Sequence, residues 1–198
     1  IDIVVECANV DLVKQYAKDI VKKKDFFIIS IGALVDMTFY EELRTLVRSM
    51  DRNIYLPSGA IGGLDVIKSA NVMGGLDSVS LTTRKPAQAL TDGGDVIDKE
   101  KVVFDGVAKD AIVQFPKNAN VSIILSLAGV GVENTKVKII MDPSVERNIH
   151  EVKASGDFGD VSIELKNNPS PTNPKTSYLT ALSILSALKS LDDAIKIG

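Results

Sequence analysis

A chain of 198 residues, 45% hydrophobic and 25% charged, is long enough for one large domain or two small ones and has the balance of a globular protein. A net charge of −3, no tryptophan and only 5% aromatic residues leave neither a basic surface for nucleic acid nor stacking platforms for its bases. One cysteine, Cys7, and one histidine, His150, exclude an internal disulfide and a metal site built from those residue types, and no apolar run reaches the roughly 18 residues of a membrane span.

Residues 1–57 alternate strand, helix, strand, helix, strand. The chain opens directly on a strand, Ile1 to Glu6, with no methionine and no lead-in, which reads as a chain that has lost its natural N-terminus. Val13, Tyr16, Ala17, Ile20 and Val21 recur at the spacing of one helical face, and Lys22, Lys23 and Lys24 stand where the negative end of the helix dipole favours cations. Phe26 to Ser30 is a continuous apolar run, as in a parallel strand covered by helices on both sides. Thr38 with Glu41 forms a capping box that opens a helix through about Met50, and Asn53 to Leu56 is the third strand. Three strands joined by two crossover helices predict part of a doubly wound parallel sheet.

From residue 58 the pattern changes. Ser58-Gly59-Ala60-Ile61-Gly62-Gly63 turns into a helix carrying Leu64, Ile67, Lys68 and Val72, stopped by Gly74 and Gly75. Strands are then expected at 77–83, 101–108, 121–127, 137–142, 150–154 and 161–166. The breaks are Thr91 to Asp95 and Pro116 to Asn120. A last helix, about 177–195, carries Tyr178, Leu182, Leu185 and Leu188 along one face. Residues 58–198 therefore read as an α+β domain with a mixed or largely antiparallel sheet.

His150, in Asn148-Ile149-His150-Glu151-Val152, is the residue with most to say about chemistry, because an imidazole with a pKa of about 6.5 exchanges protons near neutrality. A lone histidine is more often a satisfied structural one. The polar, proline-rich run Asn167-Asn168-Pro169-Ser170-Pro171-Thr172-Asn173-Pro174-Lys175-Thr176-Ser177 weighs against that, being unlike anything a plain core needs. The 58–63 turn lies where backbone amides can meet an anion or cofactor, although it lacks the full dinucleotide fingerprint and reads most simply as a tight strand-to-helix turn. Cys7 reads as inert core at the end of a buried strand, and Asp157 and Asp160, beside glycines, read as turn residues.

Val4-Val5-Glu6-Cys7-Ala8-Asn9, Ile28-Ile29-Ser30-Ile31-Gly32-Ala33-Leu34, Pro57-Ser58-Gly59-Ala60-Ile61-Gly62-Gly63-Leu64-Asp65, Pro116-Lys117-Asn118-Ala119-Asn120-Val121, the His150 segment, Ser155-Gly156-Asp157-Phe158-Gly159 and the Asn167–Ser177 run together resemble the L-aspartate dehydrogenase family, from residue 1 to the last helix. The resemblance implies the rear half of a Rossmann domain over 1–57, followed over 58–198 by a substrate domain like that of glyceraldehyde-3-phosphate dehydrogenase. The family's phosphate-binding loop and its next two strands would lie upstream of residue 1.

The resemblance also implies an enzyme of NAD biosynthesis that oxidises L-aspartate to iminoaspartate with NAD or NADP, as a cytoplasmic homo-oligomer with no membrane or nucleic-acid partner. His150 matches the family's catalytic histidine, and Ala60 and Asn120 match its nicotinamide-dinucleotide contacts. Lys175, a cation at the entry to the last helix, is the residue expected to meet a substrate carboxylate. Two rivals stand beside this reading: a homoserine- or semialdehyde-type dehydrogenase, and a binding or assembly domain without catalysis.

Overall fold

The computed structural model describes residues 2–86, 98–116, 119–173 and 176–195. The chain forms two compact units, Ile1–Pro57 and Ser58–Gly198. The expected turn at Thr91 to Asp95 lies outside the described residues, as do Lys117, Asn118 and Lys175.

The first unit runs β1 (Ile3–Glu6), α1 (Val10–Val21), β2 (Asp25–Ile28), α2 (Met37–Ser49) and β3 (Ile54–Tyr55). Its three strands are parallel in the order β1-β2-β3, the arrangement that strand–helix–strand crossovers dictate. Val13, Ala17 and Val21 of α1 are wholly buried with Phe26, Phe27 and Ile28 of β2. Two helix starts are fastened by side chains: Asn9 accepts from the Leu12 amide at 2.9 Å, and Asp36 from the Phe39 amide at 3.1 Å. The second corrects the expected capping box. Asp36 offers its carboxylate two residues ahead of Thr38, so Thr38 becomes part of the first turn of α2. A short 3₁₀ turn over Ile31–Val35, which the apolar pattern does not disclose, leads into that cap.

The second unit runs α3 (Leu64–Asn71), β4 (Leu76–Pro86), β5 (Lys101–Val107), α4 (Ala108–Gln114), α5 (Ala119–Ala128), β6 (Lys136–Asp142), β7 (Asn148–Gly156), β8 (Gly159–Asn167) and α6 (Tyr178–Asp192). Its five-stranded sheet has the order β5-β6-β4-β7-β8, with β4 and β6 parallel and every other pair antiparallel. Strand alternation sorts the side chains. Val79, Leu81, Val137, Ile139, Val152 and Ala154 form one buried face, and Ile67 of α3 and Leu125 of α5 are buried in the same core. Asn71 closes the helical layer by donating to the Gly129 carbonyl at 2.7 Å.

Two expectations change here. The strand expected at 121–127 is the body of α5: Val-Ser-Ile-Ile-Leu-Ser-Leu is apolar in either conformation, and periodicity cannot separate a buried helix from a buried strand. Ser122 and Ser126, four apart, decide it, since the Ser126 hydroxyl donates to the Ser122 carbonyl at 2.7 Å, a bond only a helical turn permits. The last helix is shorter than expected and buries none of its residues; Tyr178, Leu182 and Leu185 are exposed rather than packed. Cys7 is likewise exposed, not core, because the chain has already left β1 when it reaches it.

Candidate active site

β4 and β7 run antiparallel with Thr83 opposite His150, and β8 places Leu165 on the other side of His150. By alternation, Val79, Leu81, Thr83 and Lys85 share the helix-covered face of β4, so His150 faces the protein interior and is 4% exposed. The Thr83 hydroxyl and His150 Nδ1 are hydrogen-bonded at 3.0 Å, and Thr83 is itself buried. Burial, with the positive charge of Lys85 as a second cause, lowers the pKa of His150 to about 4. His150 is therefore neutral throughout the physiological range, able to take a proton and not to bring one. Lys85 is shifted down by burial.

The Ser58–Gly63 turn lies over the next strand. Asn167, last residue of β8, donates its side-chain amide to the Ala60 carbonyl at 3.0 Å, and Ser183 of α6 receives the Gly59 amide at 3.1 Å. Gly62 rests against Leu165, the register partner of His150, and Gly63 against Ile163. Gly63 caps α3 with φ +78°, and a Cβ there would come within 2.2 Å of the Ile163 methyl, so glycine is what lets the turn sit down on the sheet. The described residues of the Asn167–Ser177 run, 167–173 and 176–177, are tied by their own bonds. Ser170 donates to the Thr176 carbonyl at 2.8 Å, Tyr178 to the Asn168 carbonyl at 2.9 Å, and Arg147 to the Asn168 side chain at 2.8 Å.

The structure thus ties the turn that carries Ala60 to β8, the strand that pairs with the β7 of His150. Asn120 stands apart: it is exposed in the first turn of α5, and no described contact ties it to either residue. Asp157 and Asp160 sit in the β7–β8 hairpin, at the opposite end of β7 from His150. The sequence pattern singled out neither Thr83 nor Lys85, and Asn167 only as part of the polar run. The signal was available on β4, where the apolar parity of Val79 and Leu81 continues into two polar residues, which marks a buried face turning into a site.

In the first unit the carboxyl ends of the parallel strands are joined by Glu6. This buried carboxylate accepts the Ala8, Ile29 and Ser30 amides at 2.6, 3.1 and 2.7 Å and the Ser30 hydroxyl at 2.9 Å. It shapes the loops leaving β1 and β2 at the edge where doubly wound sheets receive nucleotides. A dinucleotide held at that edge would meet loops already fixed by Glu6.

A parallel strand–helix unit followed by a mixed sheet that buries a neutral histidine is the layout expected of a two-unit nicotinamide-dependent oxidoreductase, the class to which the matching families belong. Residues 1–57 match the family model described as homoserine dehydrogenase, NAD binding domain, and residues 65–191 match the one described as aspartate dehydrogenase, C-terminal. The chain is 41% identical to an L-aspartate dehydrogenase of Methanosarcina mazei and 45% identical to one of Methanospirillum hungatei, in each case over 100% of this chain and 76% of the relative. The crystal structure of an aspartate dehydrogenase from Thermotoga maritima superposes with a TM-score of 0.87 at 36% identity, covering 100% of this chain and 79% of that one. The chain belongs to the aspartate dehydrogenase family.

Proposed function

We propose that this chain oxidises L-aspartate to iminoaspartate with NAD or NADP, His150 serving as the base. The observation that carries the reading is a single histidine, buried, neutral and hydrogen-bonded through Nδ1 to Thr83, on the sheet face beside the Ser58–Gly63 turn. With Nδ1 engaged, Nε2 is the nitrogen left for substrate. In the tautomer that leaves Nε2 bare, Nδ1–H donates to the Thr83 oxygen.

His150 Nε2 takes one proton from the substrate ammonium. The freed lone pair then forms the C=N bond as the C2 hydrogen leaves with its two electrons, and water converts the imine to oxaloacetate and ammonia. A bound nicotinamide supplies the hydride acceptor. Ala60 and Asn120 are the residues we assign to orienting it, and Lys175 remains our assignment for one substrate carboxylate. The sole cysteine belongs to the first unit and His150 to the second, which weighs against a semialdehyde-type enzyme with a thiol nucleophile in its catalytic domain. The same reading carries a cytoplasmic homo-oligomer supplying iminoaspartate to pyridine-nucleotide biosynthesis, supported by family membership.

The test is oxidation of L-aspartate with each cofactor by the enzyme carrying this chain, and by its His150→Ala variant. Turnover should fall by about 10² or more, the scale of lost general-base catalysis, while nucleotide still binds. Equal turnover in the variant would return His150 to a packing role; no turnover with L-aspartate in the parent would favour a binding or assembly domain.

A further inference from the structure

One row of the second unit's sheet runs from β6 to β8 as Ile139, Thr83, His150 and Leu165, each in register with the next. Register neighbours project from the same face, so these four side chains lie side by side. The outer two are apolar, and Gly62 of the Ser58–Gly63 turn rests against Leu165. The inner two are polar and buried, and they bond to each other, Thr83 Oγ1 to His150 Nδ1 at 3.0 Å. Among the described residues no buried side-chain nitrogen or oxygen lacks a hydrogen-bond partner. The described bond of His150 is made by Nδ1, so Nε2 is not sealed in the interior.

Such a pair is not what stability asks for. Two apolar side chains of the same shape would fill the row at little or no loss, because the gain of the bond is offset by desolvating both groups. What the pair does have is control over a proton. A neutral imidazole carries one hydrogen, on either nitrogen, and acts as a base only at the bare one. We propose that Thr83 is a positioning residue for His150: its hydroxyl oxygen accepts the Nδ1 hydrogen, which keeps Nε2 bare for the substrate amine. The inference rests on the aspartate reading above and adds to it the residue that sets the base. Threonine suits the task because its branched Cβ restricts χ1, so the oxygen stays at Nδ1. Without the hydroxyl, an Nδ1 hydrogen would be buried with no partner. The hydrogen then moves to Nε2, where it can be solvated, and blocks the base. When Nε2 takes the substrate proton, both nitrogens carry hydrogen, and the Nδ1 bond becomes charge-assisted and strengthens as the imidazolium forms.

His150 is the only histidine of the chain, so nitrogen-15 labelling of histidine gives one pair of ring signals, which distinguish the protonated nitrogen from the bare one. At neutral pH the parent should show Nδ1 protonated and Nε2 bare, a result that does not depend on turnover. Thr83→Val, which keeps the shape and removes the hydroxyl, should shift the hydrogen towards Nε2, and Thr83→Ser should return it. In the enzyme carrying this chain, Thr83→Val should lower kcat for L-aspartate by about 10- to 100-fold, the scale of a hydrogen bond to a charged group, and leave KM within about twofold. Thr83→Ser should recover most of the rate. Should Thr83→Val fail to fold, Thr83→Ala reads the same outcomes.

A parent whose neutral His150 carries its hydrogen on Nε2 overturns the proposal. So does a Thr83→Val variant of an active parent that keeps either the parent tautomer or the parent kcat. A loss of rate that Thr83→Ser does not repair, with the tautomer unmoved, would leave Thr83 a packing residue. A parent with the Nδ1 hydrogen, lost in Thr83→Val, that does not oxidise L-aspartate would sink the aspartate reading while leaving Thr83 as the group that sets His150.

Discussion

Arg84 and Lys85 are adjacent cations on one strand, and they meet opposite environments because strand alternation sends them to opposite faces of the sheet. On the outer face charges are matched. Arg84 pairs with Glu100 and with Asp142, the latter at 2.5 Å, while Lys138–Asp105, Lys153–Glu151 and Lys166–Glu164 continue the pattern at 2.9, 2.7 and 3.1 Å. The Arg84 pKa is raised, first by its hydrogen bond to Glu100. Asp142 is held below its usual value, first by the Ser144 hydroxyl and amide and then by Arg84. On the inner face Lys85 and His150 are both shifted down by burial. Paired ions keep a surface in register at little net gain; a buried base beside a cation costs stability and is retained where it has chemistry to do.

The largest consequence of that difference is a pH dependence. The folded-state pKa of His150 is about 4, below the unfolded value of 6.5, so the unfolded chain takes up the proton first as pH falls. The neutral histidine's contribution is complete above pH 6.5. It declines by roughly 1.4 kcal/mol per pH unit between 6.5 and 4, about 3 kcal/mol in all. Denaturant unfolding of the parent and of His150→Gln across pH 7 to 4.5 should show a steeper loss of stability in the parent. Parallel curves would mean that His150 is not buried as described, and the contrast between the faces would lose its inner half.

Next comes the seating of the Ser58–Gly63 turn on that inner face. Gly63→Ala puts a side chain at φ +78° and within 2.2 Å of the Ile163 methyl. The left-handed backbone costs about 1 kcal/mol and displacing the isoleucine about 1 more, so a loss of about 2 kcal/mol is expected by thermal or denaturant unfolding. Ile163→Val should recover part of it by opening space. A Gly63→Ala protein as stable as the parent would show that the turn does not rest on β8.

How much of this was legible beforehand follows from which signals are local. The crossover helix α1, the apolar β2 and the change of pattern at residue 58 are written in periodicity. His150 stood out because histidine has one copy and a useful pKa. The environment that gives it meaning was not visible. Thr83 lies 67 positions away in the chain, and only the antiparallel register of β4 and β7 brings them together. Asn167 is separated from Ala60 by 107 positions. The same limit explains α5, whose apolar run fits either a strand or a helix until its neighbours are known, and Cys7, whose exposure depends on where β1 stops.

The smallest expected effect tests the outer face. Arg84→Met removes the guanidinium from two carboxylates of unequal exposure: Glu100 is half exposed and returns to water, whereas Asp142 is 6% exposed. Asp142 nonetheless keeps the Ser144 hydroxyl and amide, at 2.6 and 2.8 Å, so it is not left bare. With solvent screening one partner and Ser144 serving the other, the loss should be about 1 kcal/mol or less, and smaller still at high salt. The His150 titration midpoint should stay where it is, because the sheet lies between the two faces. That midpoint is the sharper readout. A clear shift of it in Arg84→Met would mean that charge on the outer face also governs the base, and the contrast between the two faces would have to be abandoned.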